Sequence, residues 1–252
     1  MAFTQMYSSI DNELNALFYQ IHKEVKIILK TEGEDFFSRY LPSPVEKFLF
    51  PAAVIYSAKA FRVSDTKEIL DRAKIAFYVY MASYIHQLYE REPTANKILC
   101  GDYFFAQYYA AINEANSIDL LKTISQIICR IHENRIHLLI NPADSSKCNE
   151  YTLDFAKKNT GLLLGECCAL GAAISADWPE GLPIVKNIGV NLGIALILAT
   201  VKGCDDSHIG YIKKACQDLI HLPKGIETRF FSEFIDILFP YISVPAARRV
   251  VV

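Results

Sequence analysis

TGLLLGECCALGAAISA, residues 160–176, decides the architecture. Only Thr160, Glu166 and Ser175 interrupt its apolar and small side chains, so a helix through it has no continuous polar face. A helix apolar on every side has no face to give to water and must stand inside a bundle. NLGIALILA at 191–199 has the same character. Gly165, Gly171, Ala172 and Gly193 let backbones approach closely. Two arrangements are open for these segments: plain core packing, or two small-residue helices facing each other across a cavity.

Outward from this centre the helical period repeats. Leu14, Leu17, Phe18, Ile21, Val25, Ile28 and Leu29 recur at spacings of three and four, with Ser8 or Ser9 as the cap and Gly33 past the end. Pro42, Pro44 and Pro51 punctuate a connection. Asp65 and Glu68 have N-cap and N3 spacing and open a pattern running to about Tyr89, which Pro93 interrupts. Further helical patterns cover 100–114, 118–139, 150–175, 184–202, 207–220 and 227–239. Pro142, Pro179, Pro183, Gly203, Pro223 and Pro240 separate them. No segment alternates in the manner of a half-buried strand, no repeat of 20–50 residues occurs, and no polar linker divides the chain. The expectation is one all-α domain over 1–252, with 240–252 as a C-terminal tail.

Composition narrows the function classes. The chain of 252 residues is 52% hydrophobic, which excludes disorder. Lys+Arg 26 against Asp+Glu 28 gives net −2 with no basic block, which argues against a nucleic-acid partner. Asp11 and Glu13 stand where a signal peptide would be basic and then apolar. The weakly polar run from Ile188 to Val201 reaches only ~21 Å as a helix, short of a ~30 Å hydrocarbon core, and reads as a buried helix rather than a transmembrane segment. Seven cysteines without C-x-x-C spacing suggest neither a zinc site nor a disulfide scaffold. A cytoplasmic, reduced location is expected.

Four segments, in order over about residues 70–205, carry a resemblance. GDYFFAQYYAAI at 101–112 resembles the G-D-x-L-x-A helix of the trans-type polyprenyl diphosphate synthases. TGLLLGECCALGAA at 160–173 resembles their K-T-A-x-L-x-x-x-x-C-x-x-G-A helix, and Gly189 with NLGIALILA their G-x-x-L-G-x-A-F-Q-I-x-D-D-x-x-D helix. Ile85-His86 falls where they have L-H-D-D-x-x-D. Within that superfamily, LCGDYFFAQYYAAI followed by KTISQIICRIHENRIHLL at 122–139 is similar to component I of the two-component heptaprenyl diphosphate synthases. That component is the small, non-catalytic partner of a catalytic large subunit. The resemblance implies the isoprenoid-synthase fold, an all-α helical bundle around a central cavity.

The departures from the enzyme pattern concern its chemistry. Ionising an allylic diphosphate requires the leaving pyrophosphate to be neutralised, which carboxylates at i, i+1 and i+4 achieve by holding Mg²⁺ through oxygen ligands. By the resemblance, the two leading Asp positions of the first motif hold Gln87 and Leu88. The three of the second hold Thr200, Val201 and Cys204, and the Lys position before Thr160 holds Asn159. The chain between His86 and Gly101 is too short for the enzymes' Arg pair. Asp205 and Asp206 lie about 140° off the original face and read as a cap for the helix from Ser207. No catalytic, cofactor-binding or metal-ligating residue is therefore assigned, and Mg²⁺ is expected in the catalytic partner.

His132 and His137, five apart, cannot share one metal on a helix. Asp102 reads as an N-cap for 103–114. Phe104 with Tyr108, and Phe105 with Tyr109, form two aromatic stripes; core packing accounts for one, and with Tyr103 they exceed what a single buried face needs. The resemblance places subunit pairing on this helix and the next, so the expected partner interface comprises Tyr103, Phe104, Phe105, Tyr108, Tyr109, Glu133 and Arg135. The reading is a non-catalytic subunit of a heteromeric prenyl diphosphate synthase making about six or seven isoprene units for the menaquinone side chain. Its rivals are an apolar-ligand-binding homodimer and an independent enzyme with an unrecognised site.

Overall fold

The computed structural model describes residues 9–28, 44–91, 93–140, 150–200 and 207–243. Of these, 86% are helical and none lies in a strand. The fold is all-α. Its helices are α1 (Asp11–Ile28), α2 (Pro44–Ala60), α3 (Thr66–Arg91), α4 (Ala95–Glu114), α5 (Ile118–Ile140), α6 (Glu150–Ala156), α7 (Leu162–Ala172), α8 (Leu182–Thr200), α9 (Ser207–Ile220) and α10 (Arg229–Ser243). A π-helical turn, Lys157–Gly161, joins α6 to α7, and a 3₁₀ turn, Pro179–Gly181, leads into α8.

The expected caps and limits meet the structure at several points. The amide of Glu68 donates to Asp65 Oδ1 at 3.1 Å, the predicted start of α3. Several prolines behave differently from expectation. Pro44 opens α2, and Pro179 and Pro183 stand in opening turns where no amide is needed, so they start helices instead of separating them. Pro51 lies inside α2, where Ala52 to Tyr56 are all buried and their packing outweighs the lost hydrogen bond. Pro240 lies in the last turn of α10, so residues 240–243 complete that helix rather than begin a tail. Residues 244–252, Gly33, and Val201 to Asp206 fall outside the described residues.

The contacts group into two compact units, each discontinuous in sequence. The first comprises residues 1–55 and 65–122. There α3 packs along α4, and α1 against α3. Phe77 and Tyr78 meet Phe104 at ring distances of 6.3 and 6.0 Å, and Phe18 stands edge-on to Phe48 and Phe77.

The second unit comprises residues 56–64 and 123–252. α8 is its centre, in contact with α7, the π turn, α9 and α10. The end of α2 is tied into it. Tyr56 donates to Glu233 Oε1 at 2.9 Å, Phe61 packs edge-on to Trp178, and the amide of Glu227 donates to the carbonyl of Ala60 at 2.9 Å.

The α7–α8 packing decides between the two arrangements left open. A Cβ on Gly189 would lie 2.7 Å from the Cα of Gly165, and one on Gly193 2.7 Å from the Cα of Gly161. The two helices touch glycine on glycine, so no cavity separates these faces. α8 with its 3₁₀ turn, Pro179–Thr200, is also longer than expected, because the prolines join it. By length and composition alone it is long and apolar enough to cross a membrane, and half of its apolar stretch is buried inside the chain.

Candidate functional site

Gln87 and Leu88 sit half-buried on α3. Neither supplies the anionic oxygens that Mg²⁺ requires. Thr200 ends α8 with its Oγ1 donating to the carbonyl of Ile197 at 2.7 Å, so it is engaged with its own helix. Val201 and Cys204 lie outside the described residues. Among the described residues, no group of three His, Cys, Asp or Glu side chains converges closely enough to hold a metal ion.

Asn159 occupies the π turn and is 7% exposed. Its Nδ2 donates to the carbonyl of Phe155 at 2.9 Å. A π turn shifts the backbone pairing by one residue, and this side chain takes up a carbonyl of the preceding turn. A neutral amide tied to the backbone offers a diphosphate no charge. The neighbouring cation Lys158 pairs with Asp154 at 2.7 Å.

Beside Gln87 and Leu88, His86 has a defined setting. Its Nε2 is 3.4 Å from Asp102 Oδ1, and its ring stacks on Phe105 at 5.5 Å. Gly101 admits that ring: a Cβ there would lie 2.6 Å from Nε2. Asp102 is consequently not the expected N-cap. α4 begins at Ala95 after Thr94, and Asp102 lies two turns further on, facing α3. The expected start at 100–103 therefore falls inside α4, whose buried face already includes Lys97 at 3% exposure.

One further group was not legible. Lys47 on α2 lies with its Nζ 4.6 Å from the centre of the Phe18 ring and 5.4 Å from that of Phe48, and burial lowers its pKa from the ordinary lysine value. The prolines around it made the segment look like a connection. The only signal was aromatic flanking, Lys47-Phe48, which has no fixed meaning by itself.

The seven expected interface residues divide by face. Phe104 and Tyr108 are wholly buried and form core, as does Arg135 at 6% exposure, so these three do not reach the surface of the chain. Tyr103 and Phe105 are half-buried at the edges of α4, while Tyr109, 54% exposed, and Glu133 on α5 face outward. One stripe is core and the other reaches the surface, which is how helical periodicity distributes residues one position apart. His132 and His137 on α5 are half-buried and exposed, respectively.

Comparison with known proteins adds to this geometry. A family model described as polyprenyl synthetase matches residues 39–197, more than half of the chain. Among solved structures, the polyprenyl synthase of Caulobacter crescentus CB15, complexed with calcium and isoprenyl diphosphate, is similar with a TM-score of 0.71 and 15% identity, covering 95% of this chain and 98% of that one. The decaprenyl diphosphate synthase of Rhodobacter capsulatus gives 0.70 and 14%, with the same two coverages. The geranyl diphosphate synthase small subunit of Antirrhinum majus gives 0.66 and 16%, covering 94% of this chain and 100% of that one. At these identities the likeness is one of fold. No curated protein sequence matches the chain.

Proposed function

This chain belongs to the polyprenyl synthetase family, and from that premise we propose that it is a non-catalytic subunit of a heteromeric, cytoplasmic prenyl diphosphate synthase. One observation carries the reading. Where the family resemblance puts metal and diphosphate ligands, this chain has Gln87, Leu88, Asn159 and Thr200. The last two are hydrogen-bonded to their own helices. Both halves of the diphosphate clamp are lost together, while the helices around them keep the fold. Losing a single transition-state donor typically costs ~2.7–4 kcal/mol of barrier, and losing both metal sites leaves no useful rate. Retention of the fold then points to a structural duty. The existence of a solved neighbour named as a small subunit supports heteromeric assembly within this fold.

In this reading a catalytic large subunit carries both Asp-rich motifs and the Mg²⁺, and this chain completes the complex and helps fix a product of about six or seven isoprene units for menaquinone synthesis. The partner docks on the outward side of α4 and α5, on Tyr103, Phe105, Tyr109 and Glu133. A radiolabelled condensation assay decides the matter. The purified chain is expected to give no Mg²⁺-dependent product from isopentenyl and allylic diphosphates. Added to a prenyl diphosphate synthase that carries both Asp-rich motifs, it is expected to raise the rate or lengthen the product. Turnover by the chain alone sinks the reading.

A further inference from the structure

The π turn Lys157–Gly161 holds one residue more than an α-helix uses over the same rise. Its effect on backbone pairing is visible at Leu162. In an α-helix the Leu162 amide would donate to the carbonyl of Lys158, four residues back. Here it donates to the carbonyls of Lys157, five back, and Asn159, three back. The carbonyl of Lys158 is passed over, and a side chain from another helix takes it: Asn134 Nδ2 on α5 donates to it at 3.3 Å. Asn159 holds the turn from within, its Nδ2 on the Phe155 carbonyl, while its Oδ1 is buried and accepts no hydrogen bond from a described residue. A buried acceptor without a donor costs free energy, so other contacts must maintain this register.

Those contacts lie on α8. Gly161 and Gly165 seat against Gly193 and Gly189 with no room for a methyl group, and Glu166 is paired with Lys186. On the other side of the turn, Ala156 packs with Ile194 and Leu198, and Leu153 lies against the same cluster. Both α6 and α7 thus rest on α8. Taking the surplus residue out of the turn would rotate one against the other by about 100°, and one of the two contacts would open. The registers are therefore discrete.

We propose that Asn134 is a positioning residue that locks the π register, so that the seating of α6 and α7 on α8 answers to α5. In the α register the Leu162 amide reclaims the Lys158 carbonyl, and Asn134 loses its acceptor. A contact made in only one of two states shifts their balance toward that state. The lock stands on these bonds alone. Its use rests on the subunit reading above: Glu133, adjacent to Asn134, is on the side assigned to the partner, so a partner that displaces α5 also displaces the register.

The test is hydrogen exchange of the full chain, read on peptides covering residues 157–165. Asn134→Leu keeps the size of the side chain and removes its donor. In the free chain this variant is expected to speed exchange there severalfold, up to about tenfold, the equilibrium worth of one net hydrogen bond. Peptides from α10 should keep wild-type rates. Asn134→Asp, also without a donor at neutral pH, should act alike, which separates the lost bond from the added apolar group. Equal or slower exchange at 157–165 in both variants overturns the lock. A prenyl diphosphate synthase that carries both Asp-rich motifs is then added. Its docking is expected to change exchange at 157–165 about tenfold in wild type and not in Asn134→Leu, with α5 protected in both. A turn that ignores a partner bound on α5, or answers equally in the variant, overturns the coupling and leaves the subunit reading standing. Failure of the wild-type chain to bind the synthase removes the subunit reading, and the free-chain comparison still decides the lock.

Discussion

At the scale of single residues, two glycines show opposite uses of the missing side chain. Gly193 lies so close to the π turn before α7 that a Cβ would be 2.7 Å from both the Cα of Gly161 and the carbonyl oxygen of Thr160. Backbone cannot swing aside as a side-chain end can, so Gly193→Ala is expected to cost about 1–3 kcal/mol by overpacking. Gly210 in α9 has open space where a methyl group would stand, with nothing within 4 Å, and Gly210→Ala should stabilise by about 0.5–1 kcal/mol. Urea midpoints of the two variants should move in opposite directions. Small residues at 160–176 and 191–199 were legible in the sequence, but not the pairing of Gly161 with Gly193 and Gly165 with Gly189, because nothing local fixes which turns cross. Cys168 gives a second test. It is fully buried, and burial pushes its thiol up to about 12, with Ser57 pulling slightly the other way. Below pH ~9 the thiol is protonated folded and unfolded, and adds no pH dependence. Above it the unfolded thiol ionises while the folded one keeps its proton, so stability falls by up to about 1.4 kcal/mol per pH unit. Unfolding followed from about pH 8 to 10 should show this decline, and Cys168→Ala should make it shallower while leaving the share of Cys167 and Cys100, whose thiols burial also pushes up.

At the scale of elements, α4 shows what periodicity can and cannot decide. The pattern at 103–109 revealed two aromatic stripes, and the structure buries Phe104 with Tyr108 while leaving Tyr109 outward. Which stripe faces inward depends on where α3 lies, and no local signal carries that. Stability measurements separate the faces. Tyr108→Ala empties a fully buried site and should cost about 3–5 kcal/mol, the range for large aromatic truncations in cores. Tyr109→Ala should change stability by no more than about 0.5 kcal/mol, as exposed substitutions do. In the subunit reading it should nevertheless weaken partner binding by about tenfold or more, measured by titration calorimetry against the synthase. Equal melting temperatures for the two variants would contradict the assigned faces. α2 shows the opposite failure. Pro44 and Pro51 concealed a helix whose residues from Leu49 to Ala60 are nearly all buried, because proline rules describe isolated helices and tertiary packing overrides them.

At the scale of the whole chain, the family resemblance was legible in four short motifs, and Gln87, Leu88, Asn159 and Thr200 were visible as residue identities. The division into two units was not, since each unit is assembled from segments far apart in sequence and no linker marks a border. The segment 56–64 belongs with residues 123–252, and the contacts it makes there are specific. Tyr56 reaches Glu233, its ring lies 5.4 Å from that of Phe234, and Phe61 closes over Trp178 and Gly181. Arg62, in the left-handed region at φ 58°, faces Glu227 at 3.5 Å. A cut at residue 122 therefore separates the second unit from part of its own core. Two rings of the size of Tyr56 and Phe61, both essentially unexposed, contribute several kcal/mol against a total stability of about 5–15 kcal/mol for a domain. The fragment 123–252 alone is expected to keep helical far-ultraviolet dichroism yet lack the near-ultraviolet signal of ordered aromatics and a cooperative melt. A peptide covering 44–64, added in excess, should restore both, because it returns Tyr56, Phe61 and the Ala60 carbonyl to their partners. A fragment that melts cooperatively without the peptide would mean that residues 56–64 contribute little to that core.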